Sequence, residues 1–152
     1  MQSLADNILE LLYYRDTDQI FAEFCHELKL LESPISKFDD LSPLTHYLLT
    51  ELGVSIYSFD RDFFSADFYI EPASVDGITT NRYCNALPFG IKTDHTISDI
   101  HSLLGPPQEV SKSGSESYRL EPWDVVFWYL KPSGKLSTVI VSRYQTTRVS
   151  KT

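Results

Sequence analysis

The sequence predicts an α+β fold, on three observations. Apolar residues recur at helical spacing through the first third, the period switches to two after Gly53, and one short, firmly bounded helix interrupts the strands that follow. The expected division is a helical part over 1–53, a mainly antiparallel sheet with one short helix over 54–144, and a patternless, frayed tail, "QTTRVSKT", over 145–152. At 152 residues, 42% of them hydrophobic and 13% aromatic, the chain fits one domain with a packed core.

The first helix rests on Leu4, Ile8, Leu11 and Leu12. Asp16 or Thr17 is placed to cap a second, whose apolar face is Ile20, Phe21, Phe24, Leu28 and Leu31, with Pro34 just beyond its end. "SPLTHYLLTELG" reads as a third: Ser42 as N-cap, Pro43 at the first helical position, Gly53 as the stop, and Leu44, Tyr47, Leu48 and Leu52 as the apolar set.

"VSIYSF" then alternates, setting Val54, Ile56 and Ser58 against Ser55, Tyr57 and Phe59. "DRD" turns the chain and "FSADFYIEP" returns it, so residues 54 to 71 form a hairpin, followed by a polar loop over 72–86. Thr96 caps the short helix and Asp99 completes a capping box; Ile97, Ile100, Leu103 and Leu104 make its buried stripe. Gly105 ends it at a positive φ, in the left-handed conformation, and Pro106 and Pro107 forbid continuation. Four strands complete the chain: "QEVSK", "SYRLE", "DVVFWYL" and "LSTVIVSRY", the last two joined by the turn "KPSGK". In the third of these, Val125, Phe127 and Tyr129 share one face and Val126, Trp128 and Leu130 the other, with Trp128 assigned to the core.

Charge divides unevenly. Residues 1–76 carry 15 acidic and 4 basic side chains, a net of −11, while residues 77–152 carry a net of +3. An acidic half repels nucleic acid and attracts a basic protein surface. "MQSLADNILELLYY" lacks the basic start and unbroken apolar run of a secretory leader, and no apolar stretch approaches the ~20 residues of a membrane span. A cytoplasmic protein is therefore expected, with Cys25 and Cys84 as buried free thiols.

Two resemblances follow from these pieces. The run from Thr96 to Pro107, then Trp123 to Leu130, resembles the small module of BamE/SmpA-type outer-membrane-assembly lipoproteins and of beta-lactamase inhibitory proteins, in which a short helix ending in Leu-Gly-x-Pro leads into an aromatic-bearing antiparallel sheet. The hairpin "GVSIYSFDRDFFSADFYIEP", then Leu87 to Gly90, then Leu104, Gly105 and Pro107, is similar to immunity proteins of bacterial polymorphic toxin systems. The second resemblance implies a non-enzymatic protein that neutralises a cognate toxin by direct binding. The chain lacks the lipid-acceptor cysteine of the lipoprotein pattern.

Chemical motifs are sparse. His95 and His101 are six apart, off one helical face, and His26 and His46 have no metal-binding context. "SKSGS" lacks the Gly-Lys-Ser/Thr of a phosphate loop, and no Gly-x-Ser-x-Gly elbow occurs. The acids Asp60, Asp62, Asp67, Glu71 and Asp76 do not follow the spacing of a calcium loop. Aromatics ringed by charge have the composition of binding hot spots. The candidate partner-binding residues are accordingly Tyr57, Asp60, Asp62, Phe63, Asp67, Tyr69, Glu71 and Trp123, with a basic toxin domain as the expected partner. No catalytic residue, metal ligand or cofactor is assigned, and neither nucleic acid nor membrane is expected as a partner. The other function classes the sequence leaves open are a small enzyme with a dispersed site and a BamE-like structural adaptor.

Overall fold

The computed structural model describes residues 2–41 and 43–143. Its fold is α+β: helices α1 (Leu4–Leu11), α2 (Gln19–Leu30) and α3 (Ile97–Leu104) lie against one large antiparallel sheet. Eight strands build that sheet: β1 (Ile35–Leu41), β2 (Leu44–Leu49), β3 (Val54–Phe59), β4 (Asp62–Tyr69), β7 (Glu109–Val110), β8 (Glu116–Leu120), β9 (Trp123–Tyr129) and β10 (Leu136–Arg143). Their spatial order is β1-β2-β3-β4-β10-β9-β8-β7. A two-stranded ribbon, β5 (Ser74–Val75) and β6 (Ile78–Thr79), stands apart inside the segment expected to be loop.

The third helix expected over 42–53 does not form. Leu44–Leu49 is a strand between β1 and β3, and Tyr47 and Leu48, on opposite faces of it, are both buried, which gives the apolar residues a spacing that mimics a helix. Gly53 lies instead in the turn from β2 to β3, at φ +71°, where a Cβ would stand 2.4 Å from the Asn81 carbonyl oxygen. The expected N-cap Ser42 and the tail over 145–152 lie outside the described residues.

α1 starts with a capping box: the Ser3 hydroxyl accepts from the Asp6 N–H, and the Asp6 carboxylate accepts from the Ser3 N–H. α2 starts later than expected. Its N-cap is Asp18, whose carboxylate accepts from the Arg15 N–H rather than from the helix. Leu31 is the C-cap and is exposed, not part of the apolar face. α3 has the Thr96–Asp99 box as expected, but only Ile100 of its stripe is fully buried and Leu103 faces outward. Gly105 takes φ 82°, ψ −165°, an extended positive-φ conformation rather than the left-handed helical one, and one still more restricted to glycine.

The hairpin of β3 and β4 is present, turned by Asp60 and Arg61 at φ 51° and 71°. Two positive φ values in a two-residue loop match the right-handed twist of the strands they join.

Register assigns each side chain to a face, because directly opposed residues point the same way. Leu49, Val54, Phe68, Val139, Phe127 and Glu116 form one row across the sheet; Tyr47, Ile56, Ala66, Val141, Val125 and Tyr118 form the next. The helices pack on this face. Phe21 of α2 meets Tyr47 and Phe63 edge-on at 5.0 and 4.7 Å, and Tyr13, just past α1, meets Trp123 at 5.5 Å. Ile8, Leu11 and Leu12 of α1 and Ile100 of α3 join the same core.

Candidate functional site

The opposite face carries none of the three helices. One row across it reads Ser36, Leu48, Ser55, Asp67, Ile140, Val126 and Ser117; a second reads Phe38, His46, Tyr57, Ser65, Ser142, Asp124 and Arg119. Beside the first row lie Tyr69, Thr138 and Trp128. The alternation of β3 and β9 in the sequence already separates this face from the core.

Side chains in these rows pair across the strands. The His46 ring stacks on Tyr57 at 4.5 Å and 13°, and Phe38 lies 5.7 Å beyond it. Ser65 and Ser142 share a hydrogen bond of 3.0 Å, and the Arg119 Nε–H donates to Asp124 at 2.6 Å.

A buried polar chain runs through the centre. His46 Nε2 is 2.7 Å from the Ser55 hydroxyl, that hydroxyl is 2.8 Å from the Tyr69 oxygen, and the Tyr69 hydroxyl donates to Asp67 Oδ2 at 3.4 Å. Tyr57 follows Ser55 by two on the same face of β3, which sets it diagonally across from Asp67. An ionised carboxylate accepts only, so the direction is fixed: Tyr69 donates to Asp67, Ser55 to Tyr69, and the Nε2–H of His46 to Ser55. Burial pushes the Asp67 carboxyl up to about 6, against the neighbouring tyrosine hydroxyls, which favour the charged form. Tyr57 and Tyr69 are both raised from the ordinary phenol value, first by burial and then by the charge of Asp67.

Ser55 and His46 are the closest approach to nucleophile geometry on this face. Ser55 has no exposed surface, and the Asp67 carboxylate reaches it only through Tyr69.

The structure does not gather the sequence-predicted residues into one surface. Phe63 is fully buried under α2 and Trp123 lies on the helix-covered side, so neither can anchor a partner. Tyr69 is 7% exposed, its hydroxyl engaged by Ser55 and Asp67. Asp62 is paired with Arg15 at 3.2 Å and Glu71 with Arg82 at 3.3 Å. Asp60 is exposed at the hairpin tip, next to Arg61, which reaches Asp16 at 3.3 Å. Tyr57, Asp67 and Tyr69 are the three that meet on the helix-free face, Tyr57 and Asp67 partly exposed.

Trp128 was expected in the core; it is exposed on the helix-free face instead, because β9 is buried on one side only. His46, Ser55 and Trp128 were absent from the candidate set, and only the pairing of β2 with β3 and of β9 with β10 brings them to this face.

The cysteines are both free. Cys84 is exposed rather than buried, and Cys25 is partly buried, which raises its thiol. Among the described residues no three His, Cys, Asp or Glu side chains group as metal ligands, and no helix is long and apolar enough to cross a membrane. Compared with known proteins, the chain matches no family model, no curated protein and no solved structure.

Proposed function

We propose that this chain is a non-enzymatic protein-binding protein, and most concretely a cytoplasmic immunity protein that neutralises a bacterial toxin by docking on it. The observation that carries the reading is the helix-free face, where Tyr57, Asp67, Ile140, Val126 and Trp128 lie together on paired strands. Aromatic and aliphatic side chains around a carboxylate, on a rigid sheet, give a partner both apolar contact and a polar point of registration. The acidic N-terminal half supports a basic partner, since opposite net charge speeds encounter.

The test starts from capture of the chain with its partner in the native host and identification of that partner by mass spectrometry. The captured gene is then expressed in a sensitive strain with and without this chain. Toxicity relieved by co-expression, together with a purified complex of fixed stoichiometry, supports the reading. A partner that is harmless alone, or a toxin unaffected by this chain, defeats it.

A further inference from the structure

Among the described residues five acids have an arginine beside them: Asp16 with Arg61, Asp62 with Arg15, Glu71 with Arg82, and both Asp124 and Glu121 with Arg119. Asp67 does not. In the two cross-sheet rows of the helix-free face it is one of two acids, and the other, Asp124, is neutralised at 2.6 Å. The side-chain hydrogen-bond partner of Asp67 is the neutral Tyr69 hydroxyl, and no cation lies against it among the described residues.

We infer that Asp67 is the seat of an arginine side chain contributed by the basic protein partner. This rests on the partner-binding reading above and adds to it the residue that receives the partner's charge.

The surroundings favour a guanidinium. An ionised carboxylate has about four acceptor positions, and the single Tyr69 hydroxyl leaves room for a bidentate donor. Tyr57, stacked on His46, is the diagonal neighbour of Asp67 on this face, and a planar delocalised cation gains from an aromatic neighbour where a compact ammonium gains less. On the other side Ile140 is directly opposite Asp67 and Val126 is next in line, an aliphatic strip for the methylene stem. Trp128 is two strands from Tyr69, about 10 Å away, beside the line along which the partner's backbone would lie. The cost of desolvating Asp67 is already met in the fold, so an incoming arginine finds an acceptor held in position by Tyr69.

The probe is N-acetylarginine methylamide, titrated into the isotope-labelled full chain and followed by amide and indole resonances; the uncharged N-acetylcitrulline methylamide is the control of equal shape. Saturable shifts centred on Ser55, Asp67, Ile140 and the Trp128 indole are expected with arginine and not with citrulline. Asp67→Asn should weaken arginine binding by about tenfold, the usual size of a charge-assisted hydrogen bond, and Asp60→Asn should not. Equal responses to both probes, shifts centred on the hairpin tip, or a response unchanged in Asp67→Asn overturns the inference. Tyr57→Phe is the second variant, and binding in it should fall while the strand resonances stay in place. If the arginine probe fails while co-expression still relieves toxicity, the seat is wrong and the binding reading stands.

Discussion

Glu116 holds His101 through both carboxylate oxygens, at 2.8 and 2.9 Å from Nε2. Tyr129 donates to the same carboxylate at 3.2 Å, and Glu116 itself is buried on the helix side of β8. His101 is in the last turn of α3, so this contact fastens the helix to the sheet. The Tyr118 hydroxyl fastens it a second time, donating to the Gly105 carbonyl at 2.8 Å.

Glu116→Ala removes the acceptor from both His101 and Tyr129. The expected loss is about 2–3 kcal/mol, the usual penalty for stranding buried hydrogen-bonding groups. Glu116→Gln keeps an acceptor and should cost less. Urea denaturation of the three proteins measures it; equal midpoints would show that α3 is held elsewhere.

Two glycines separate backbone strain from collision. A Cβ at Gly105 meets nothing within 4 Å, so Gly105→Ala pays only for its dihedral angles, about 1–3 kcal/mol. At Gly53 a Cβ would also lie 2.4 Å from the Asn81 carbonyl oxygen and 2.7 Å from the Tyr83 nitrogen, which are backbone atoms with little freedom to move. Gly53→Ala should therefore be the more damaging change, read as the lower melting temperature. The reverse order would contradict the tight approach of the two segments.

The pH dependence of stability follows from Asp67. Its carboxyl is raised in the folded protein from 3.8 to about 6, so protonation favours the native state. Its contribution is fully present below pH 3.8 and is lost as pH rises through about 6. Asp67→Asn removes this loss, and at pH 7.5 the variant should gain on the order of 2 kcal/mol over wild type, with the advantage shrinking toward pH 4. Paired urea titrations at pH 4.5 and 7.5 check it; a difference independent of pH would assign the effect to packing.

Phe63 and Trp128 give opposite outcomes. Phe63 is fully buried and touches the rings of Phe21 and Tyr47, so Phe63→Ala should cost about 3–5 kcal/mol. Trp128 is 38% exposed, and Trp128→Ala should change stability far less while weakening the partner complex. Thermal melts and binding measured on the same two variants give both readings.

The elements most legible in the sequence are those governed by local chemistry. Thr96 and Asp99 cap α3 through contacts three residues apart, and the alternation of β3 and β9 separates their faces without reference to any other strand. The helix expected over 42–53 failed because periodicity reports burial, and β2 is buried from both sides by strands and helix that lie elsewhere in the chain. "ISKFDDL" gave no signal, since a charged edge strand has a weak apolar pattern. The candidate site was half legible. The sequence places Tyr57, Asp67 and Tyr69 on one hairpin, but whether an acid there is exposed, ion-paired or enclosed depends on Arg15, Arg82 and Ser55, which composition cannot position.

The strand order has a kinetic consequence. β1 to β4 follow one another in sequence as neighbours, and so do β7 to β10, so each half of the sheet is a meander that closes through short turns. The halves meet only where β4 pairs with β10, and at that seam Ser65 faces Ser142, 77 positions along the chain. Closing so long a loop costs entropy before any contact is returned, and non-local pairing is what slows folding. The two meanders should therefore zip early and independently, with the joining of β10 to β4 as the late step. The helix-free face spans that seam, so it comes into being only when the last strand is in place.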